Sequence, residues 1–144
     1  MAVPLLDVAT QNRALESEPL QLEAERLIER ALQAEPKNSA YLDSMGWVYY
    51  RQGRYAEAIK FLESALAEEE TKIQGLAEDV RGPFYEDLVV IYDHAGDAAR
   101  ALEDLNKARQ YWERALEFDP DNETIRKKLQ SVPSSAGSSP VGPE

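Results

Sequence analysis

Residues 38–66 read NSAYLDSMGWVYYRQGRYAEAIKFLESAL. Leu42, Met45, Gly46 and Tyr49 recur three to four residues apart, which gathers them on one face of a helix. Gln52-Gly53-Arg54 then breaks the pattern, because glycine adopts a turn conformation that a side chain resists. A second stripe follows at Ala58, Leu62, Ala65 and Leu66. Two amphipathic helices joined by a tight turn cannot hide both stripes by themselves. They require neighbours of the same kind.

The same residues resemble a tetratricopeptide repeat. Leu42, Met45, Gly46, Tyr49, Gly53, Tyr55, Ala58, Leu62 and Ala65 match its succession of large, small, aromatic and turn positions. Glu70 departs from the pattern, standing where the family usually has a helix-ending proline. The resemblance implies an all-α chain, a short right-handed α-solenoid of antiparallel helix pairs. The matched positions are packing positions and carry no chemistry of their own.

Composition agrees with one helical domain. A chain of 144 residues buries roughly two thirds of its unfolded surface. No apolar run is long enough to span a bilayer, so no membrane insertion is expected. The first residues, MAVPLLDVAT, have no basic leader and do not read as a signal peptide, so the expected location is cytoplasmic. Cysteine is absent, which excludes disulfides, thiol catalysis and thiolate metal sites. The net charge is −11, and residues 1–99 hold nineteen acidic against nine basic side chains. Such a balance argues against nucleic acid and anionic membranes as partners.

Along the chain, repeats are expected at about 5–38, 39–72 and 82–122, making about two and a half to three. Residues 1–17 carry a loose apolar pattern that suits a degenerate first helix. Ser17-Glu18-Pro19 opens the next, with a stripe of Leu22, Ala24, Leu27, Ile28, Ala31 and Leu32. Helix-compatible residues continue past Glu68-Glu69-Glu70, so 73–81 reads as an extension of the second helix or a short inserted one. In the third unit, Ala95-Gly96-Asp97 reads as the turn. Counted back from Pro120, Ala108, Trp112 and Ala115 match the repeat; counted forward from Gly96 they arrive seven residues late. Seven residues are nearly two turns, which predicts a second helix lengthened by that amount, with Leu102 on its buried stripe. Asp121 or Asn122 caps a final helix over 123–130, a solvated end cap. Residues 132–144, VPSSAGSSPVGPE, are expected to be disordered.

Catalytic chemistry finds little footing. His94 lacks a nucleophile at recognisable spacing and reads as a surface or hydrogen-bonded histidine. Asp119, Asp121 and Glu123 lack the glycine and distal glutamate of a calcium loop. Consecutive glutamates at 68–70 point to different sides of a helix and read as a solvated run. No enzyme activity, cofactor or metal is expected.

The resemblance places function on the groove lined by the first helix of each pair. It assigns Ala40, Asp43, Ser44, Trp47, Tyr50 and Arg51 to that groove in the central unit, and Pro83, Glu86, Asp87, Val90, Asp93 and His94 in the next. Trp47 and Tyr50 lie off the core stripe and suit binding anchors, although Trp47 packing against a neighbouring helix is an alternative. The resemblance implies that some relatives clamp a chaperone's terminal carboxylate with lysine, arginine and asparagine at positions held here by Asp43, Trp47, Glu86 and Val90. An acidic groove with aromatic anchors suits a basic or amphipathic protein segment instead. The chain therefore reads as a non-catalytic adaptor; the alternative is a structural module that self-associates into a homo-oligomer through its solenoid ends, or is a fragment of a larger assembly.

Overall fold

Each change of direction in the backbone coincides with a capping or turn residue. The computed structural model describes residues 18–133, so the first helix expected over 1–17 and the tail from 134 lie outside the described residues. Helix α1 (Glu18–Ala34) carries Pro19 in its first turn and ends before Pro36. Asn38 then caps α2 (Ser39–Arg51), its side chain accepting from the Tyr41 amide at 3.0 Å. Gly53 turns the chain at a φ of 80° into α3 (Tyr55–Gln74). A single 3₁₀ turn (Glu78–Val80) leads to α4 (Gly82–Ala101), with Pro83 in the opening turn. Helix α5 (Leu105–Phe118) is capped by Asp104, and α6 (Glu123–Gln130) by Asn122, whose side chain accepts from the Ile125 amide at 3.0 Å.

Successive helices pack on one another from α1 to α6, the arrangement of a short helical solenoid. Gly46 sets the spacing of α2 against α3: a Cβ on it would lie 2.6 Å from Leu62 Cγ and 3.2 Å from the Ala58 carbonyl. Ala58, Leu62 and Ala65 are completely buried on the opposite wall. The expected roles of Gly46, Ala58 and Ala65 are therefore met.

The second pair corrects the sequence reading. Ala95, Gly96 and Asp97 are not a turn but lie buried inside α4, which runs 20 residues. The chain reverses at Leu102, Glu103 and Asp104, where Glu103 takes a φ of 63°. The Asp104 amide donates to the Ala99 carbonyl at 2.9 Å, as the Arg54 amide does to Tyr49 at 2.8 Å, so both first helices close with the same six-to-one bond. Glycine signals either a turn or a close approach, and here Gly96 serves the approach. A Cβ on it would lie 2.3 Å from Trp112 Nε1. The seven surplus residues thus lengthen the first helix of this pair, not the second, which spans 14 residues. Leu102 stands exposed in the turn instead of on a buried stripe.

Four further expectations change. The segment 73–81 divides, with α3 running to Gln74 and a separate 3₁₀ turn following. Val132 is buried in the core rather than part of a loose tail, and Arg109 Nη1 donates to the carbonyls of Leu129 (3.3 Å) and Val132 (3.4 Å). The glutamate run is not a solvated face. Glu69 is 1% exposed, and Glu70, where a proline was expected, accepts a hydrogen bond from the Tyr92 hydroxyl on α4. The α1 stripe is also only half used: Ile28 and Leu32 reach the core, whereas Leu22 and Leu27 remain exposed.

Glu63 ties α3 to α5, accepting from Lys107 Nζ at 2.8 Å and from the Tyr111 hydroxyl. Burial opposes its ionisation, yet these two donors prevail and hold its carboxyl below the ordinary value. Burial and the Glu70 hydrogen bond push the Tyr92 phenol up to about 12. A group raised in the fold retains its full stabilising effect below its ordinary value of 10.0 and loses it as pH rises through about 12. In alkaline titration followed by circular dichroism, Tyr92→Phe is expected to lose stability less steeply across that window than the native chain. The register of the second pair is tested by urea unfolding. Gly96→Ala is expected to destabilise by about 1–3 kcal/mol through overpacking on Trp112. Glu103→Gly is expected to be neutral or stabilising by up to about 1 kcal/mol, because glycine relieves a left-handed residue.

Candidate partner-binding groove

The groove begins at the seam where α2 lies beside α4. Asp43, one turn into α2, reaches across to His94 on α4, with its Oδ1 2.8 Å from His94 Nδ1. Trp47, one turn further along α2, stacks on the same imidazole with centroids 4.1 Å apart and planes 22° apart. Its other face meets Tyr50 at 4.5 Å and 9°. Tyr50 in turn leans on Tyr55 at 5.4 Å. Burial, then the Asp97 carboxylate, pushes the Tyr50 phenol up, which places that ring towards α4 as well. The result is a fixed ladder of three rings, Tyr50–Trp47–His94, locked at one end by a carboxylate. All three keep part of their surface in solvent.

Above this ladder, between the start of α2, the end of α3 and α4, lies a cleft of about 680 Å³. Asp43, Ser44, Asp87 and Val90 line it. Its size falls within the roughly 300–1,000 Å³ usual for binding pockets. Val90 is half exposed and supplies an apolar wall.

The sequence-assigned groove residues divide into three groups. Asp43, Trp47, Tyr50 and His94 come together in the ladder, and Val90 flanks the cleft. Asp93 faces the same side but is already engaged: it accepts from Trp112 Nε1 at 3.1 Å and from Lys128 Nζ at 2.9 Å. Arg51 sits exposed at the end of α2, and Glu86 lies exposed in the added first turns of α4 beside a different hollow, near Phe118. Sequence reasoning missed Asp97, Lys128 and Glu69. Asp97 is buried and paired with Lys128 Nζ of α6 at 3.0 Å, so the cap helix inserts a cation into this face. The signal for Asp97 was hidden because the turn had been placed on it.

Comparison with known proteins bears on this arrangement. The family described as tetratricopeptide repeat matches the chain twice, over residues 39–72 and 89–122. Those two stretches are tetratricopeptide repeats. In that alignment Asp43 and Trp47 correspond to Asp93 and Asp97, which replaces the pairing with Glu86 and Val90 expected from sequence. A Pseudomonas aeruginosa protein, the TPR repeat-containing protein PA4667, is 50% identical over 44 residues, 31% of this chain. The matched segment spans about 8% of that protein's length. Among solved structures, the first TPR domain of human RPAP3 superposes with a TM-score of 0.63 at 21% identity, covering 84% of this chain and 83% of that one. The first TPR of Spaghetti (RPAP3) bound to the HSP90 peptide SRMEEVD gives the same score at 21% identity, covering 84% and 85%. The N-terminal domain of stress-induced protein-1 from C. elegans gives 0.59 at 23%, covering 87% and 97%. At these identities the likeness is one of fold. No helix among the described residues is long and apolar enough to cross a membrane.

Burial pushes the Asp97 carboxyl above its ordinary value against the pull of the Lys128 ammonium, and the neighbouring Asp93 adds to the rise. Arg100 approaches Asp97 as well, at 3.9 Å. Lys128→Met removes the closest cation from this pair of carboxylates. It is expected to destabilise by about 2–3 kcal/mol at neutral pH, less than the roughly 3–5 of a fully buried pair because Lys128 keeps some solvent contact. A carboxyl raised in the fold favours folding below its unfolded value and loses that advantage as pH rises. The deficit of the variant should therefore shrink on acidification, as measured by urea unfolding at stepped pH.

Proposed function

We propose that this chain is a non-catalytic adaptor that holds a segment of a partner protein along the face formed by α2 and α4. The observation that carries the reading is the part-exposed Tyr50–Trp47–His94 ladder, joined through Asp43 to a cleft that Asp43, Glu68, Glu69 and Asp87 help to line. Rings immobilised by stacking lose little conformational entropy on binding, so the contact area they offer is effective. Support for a protein partner comes from the fold, which in the first TPR of Spaghetti (RPAP3) holds an HSP90 peptide. A cationic clamp for such an acidic peptide is not built here, since Asp43, Trp47, Asp93 and Asp97 occupy the corresponding positions. A basic or amphipathic segment suits the charge instead, and its attraction weakens with salt.

The other reading is self-association through the solenoid end. Leu20, Leu22 and Leu27 stand 40–52% exposed on α1, an apolar surface that favours it. Size measured by light scattering over a concentration series separates the two, a monomer favouring the adaptor.

The chain has two tryptophans and Trp112 is fully buried, so a fluorescence change on adding ligand reports Trp47. A synthetic basic amphipathic peptide is expected to bind in low salt, and SRMEEVD much more weakly. Trp47→Ala, followed by calorimetry, is expected to weaken binding about tenfold or more, as loss of an aromatic anchor does. Unchanged affinity in Trp47→Ala, or a preference for the acidic peptide, would overturn the reading.

A further inference from the structure

The added turns of α4 build a surface that the aromatic ladder does not use. The family match begins at residue 89, so residues 82–88 stand outside the repeat pattern. They lie beside the end of α5, where Tyr85 meets Phe118 with ring centroids 4.9 Å apart and planes 38° apart. A hollow of about 470 Å³ opens there, walled by Tyr85, Val89 and Phe118. That size falls within the range usual for binding pockets. Tyr85 and Phe118 both keep part of their surface in solvent, so the two rings are accessible from the hollow.

The lining indicates what fills it. Its polar rim carries Glu86 and Asp119 and no cation among the described residues. Glu86 is exposed, and no ion pair among the described residues engages it. Asp119 accepts through one oxygen from Asn122 Nδ2 at 3.0 Å. An apolar hollow with an acidic rim complements an apolar side chain that has a basic neighbour, and it repels an acidic segment. Because two of the walls are rings, an aromatic guest gains edge-to-face contacts beyond the area it buries. Val90 lines both this hollow and the cleft beside Asp43, and it is half exposed between them. The two depressions thus flank one helix, on the order of 10 Å apart. An extended segment covers that distance in about three residues.

We propose that this hollow is a second subsite of the partner-binding face, seating an aromatic side chain of the partner segment beside a lysine or arginine that faces Glu86. The inference rests on the adaptor reading and specifies the segment further. The ring and its basic neighbour sit about three residues from the part that crosses Val90 into the cleft at Asp43.

The test uses acetyl-Phe-Lys-amide as the probe, titrated into the full chain and followed by amide NMR. Acetyl-Ala-Lys-amide and acetyl-Phe-Glu-amide are run in parallel. Saturable shifts are expected at Tyr85, Glu86, Val90 and Asn122 with the first probe, and about tenfold weaker binding with each of the others. Glu86→Lys, at an exposed position, is expected to reverse the charge preference, so that acetyl-Phe-Glu-amide binds the variant better than acetyl-Phe-Lys-amide does. Damage to the fold could weaken both probes but could not exchange their order. Absence of shifts at these four residues, an equal response to the alanine probe, or an unchanged preference in Glu86→Lys would overturn the assignment. The adaptor reading is judged separately. If the probe fails at this hollow while Trp47→Ala still weakens the amphipathic peptide, only the second subsite is lost.

Discussion

Two glycines with no room for a side chain set the dimensions of this protein. Gly46 lets α2 close on Leu62 of α3, and Gly96 lets α4 close on the indole of Trp112 in α5. The rest follows from these approaches. With each pair drawn tight, the fully buried alanines at 58, 65, 108 and 115 complete the facing walls, and close packing is what a chain of this size has to work with. The Trp112 ring that fills the space over Gly96 also turns its Nε1 towards Asp93, so one packing event positions a groove residue as well.

The same geometry decides how much of the acidic charge is available to a ligand. A net charge of −11 suggests an unrelieved acidic surface. In the folded chain Asp93 and Asp97 are committed to Lys128, and Asp43 to His94. Glu63 and Glu70 each accept through one oxygen from a tyrosine of another helix. What remains for a partner is narrower and more directional: the cleft beside Asp87, the hollow beside Glu86, and the part-exposed aromatic ladder. Because α2 and α4 stand side by side, Trp47 finds a stacking partner on each side, one from its own helix and one from the next repeat. Packing against another helix therefore leaves Trp47 partly in solvent.

The first pair was legible because each of its residues admits one use. Asn38 before a helix is a cap, and Gly53 between two stripes is a turn. Gly46 within a stripe is a close approach. The second pair was misread for a definite reason. A glycine between apolar residues carries no mark that distinguishes turn from approach, and the true turn residue, Glu103, is a type that seldom adopts a positive φ. The seven-residue disagreement between counting from Gly96 and counting from Pro120 already contained the answer, because only the count from Pro120 places Trp112 opposite a residue small enough to admit it. For the groove, Asp43, Trp47, Tyr50 and His94 were named from sequence. Glu86 was named through the misplaced register, and Glu69 was passed over because three successive glutamates look solvated.

By itself, then, the sequence determined that this chain is a set of antiparallel helix pairs, where five of the six described helices begin, and which small residues those helices meet across. These are local matters of periodicity, capping and side-chain volume, and they act within a few turns of chain. Only the tertiary structure decided which charges are free, which tryptophan is covered, and that Glu69 ends at the foot of a cleft with one oxygen unserved. Those outcomes depend on residues tens of positions apart, such as Ser39 with Glu69, Asp43 with His94 and Asp97 with Lys128, and no local pattern encodes a contact that exists only once the helices have stacked.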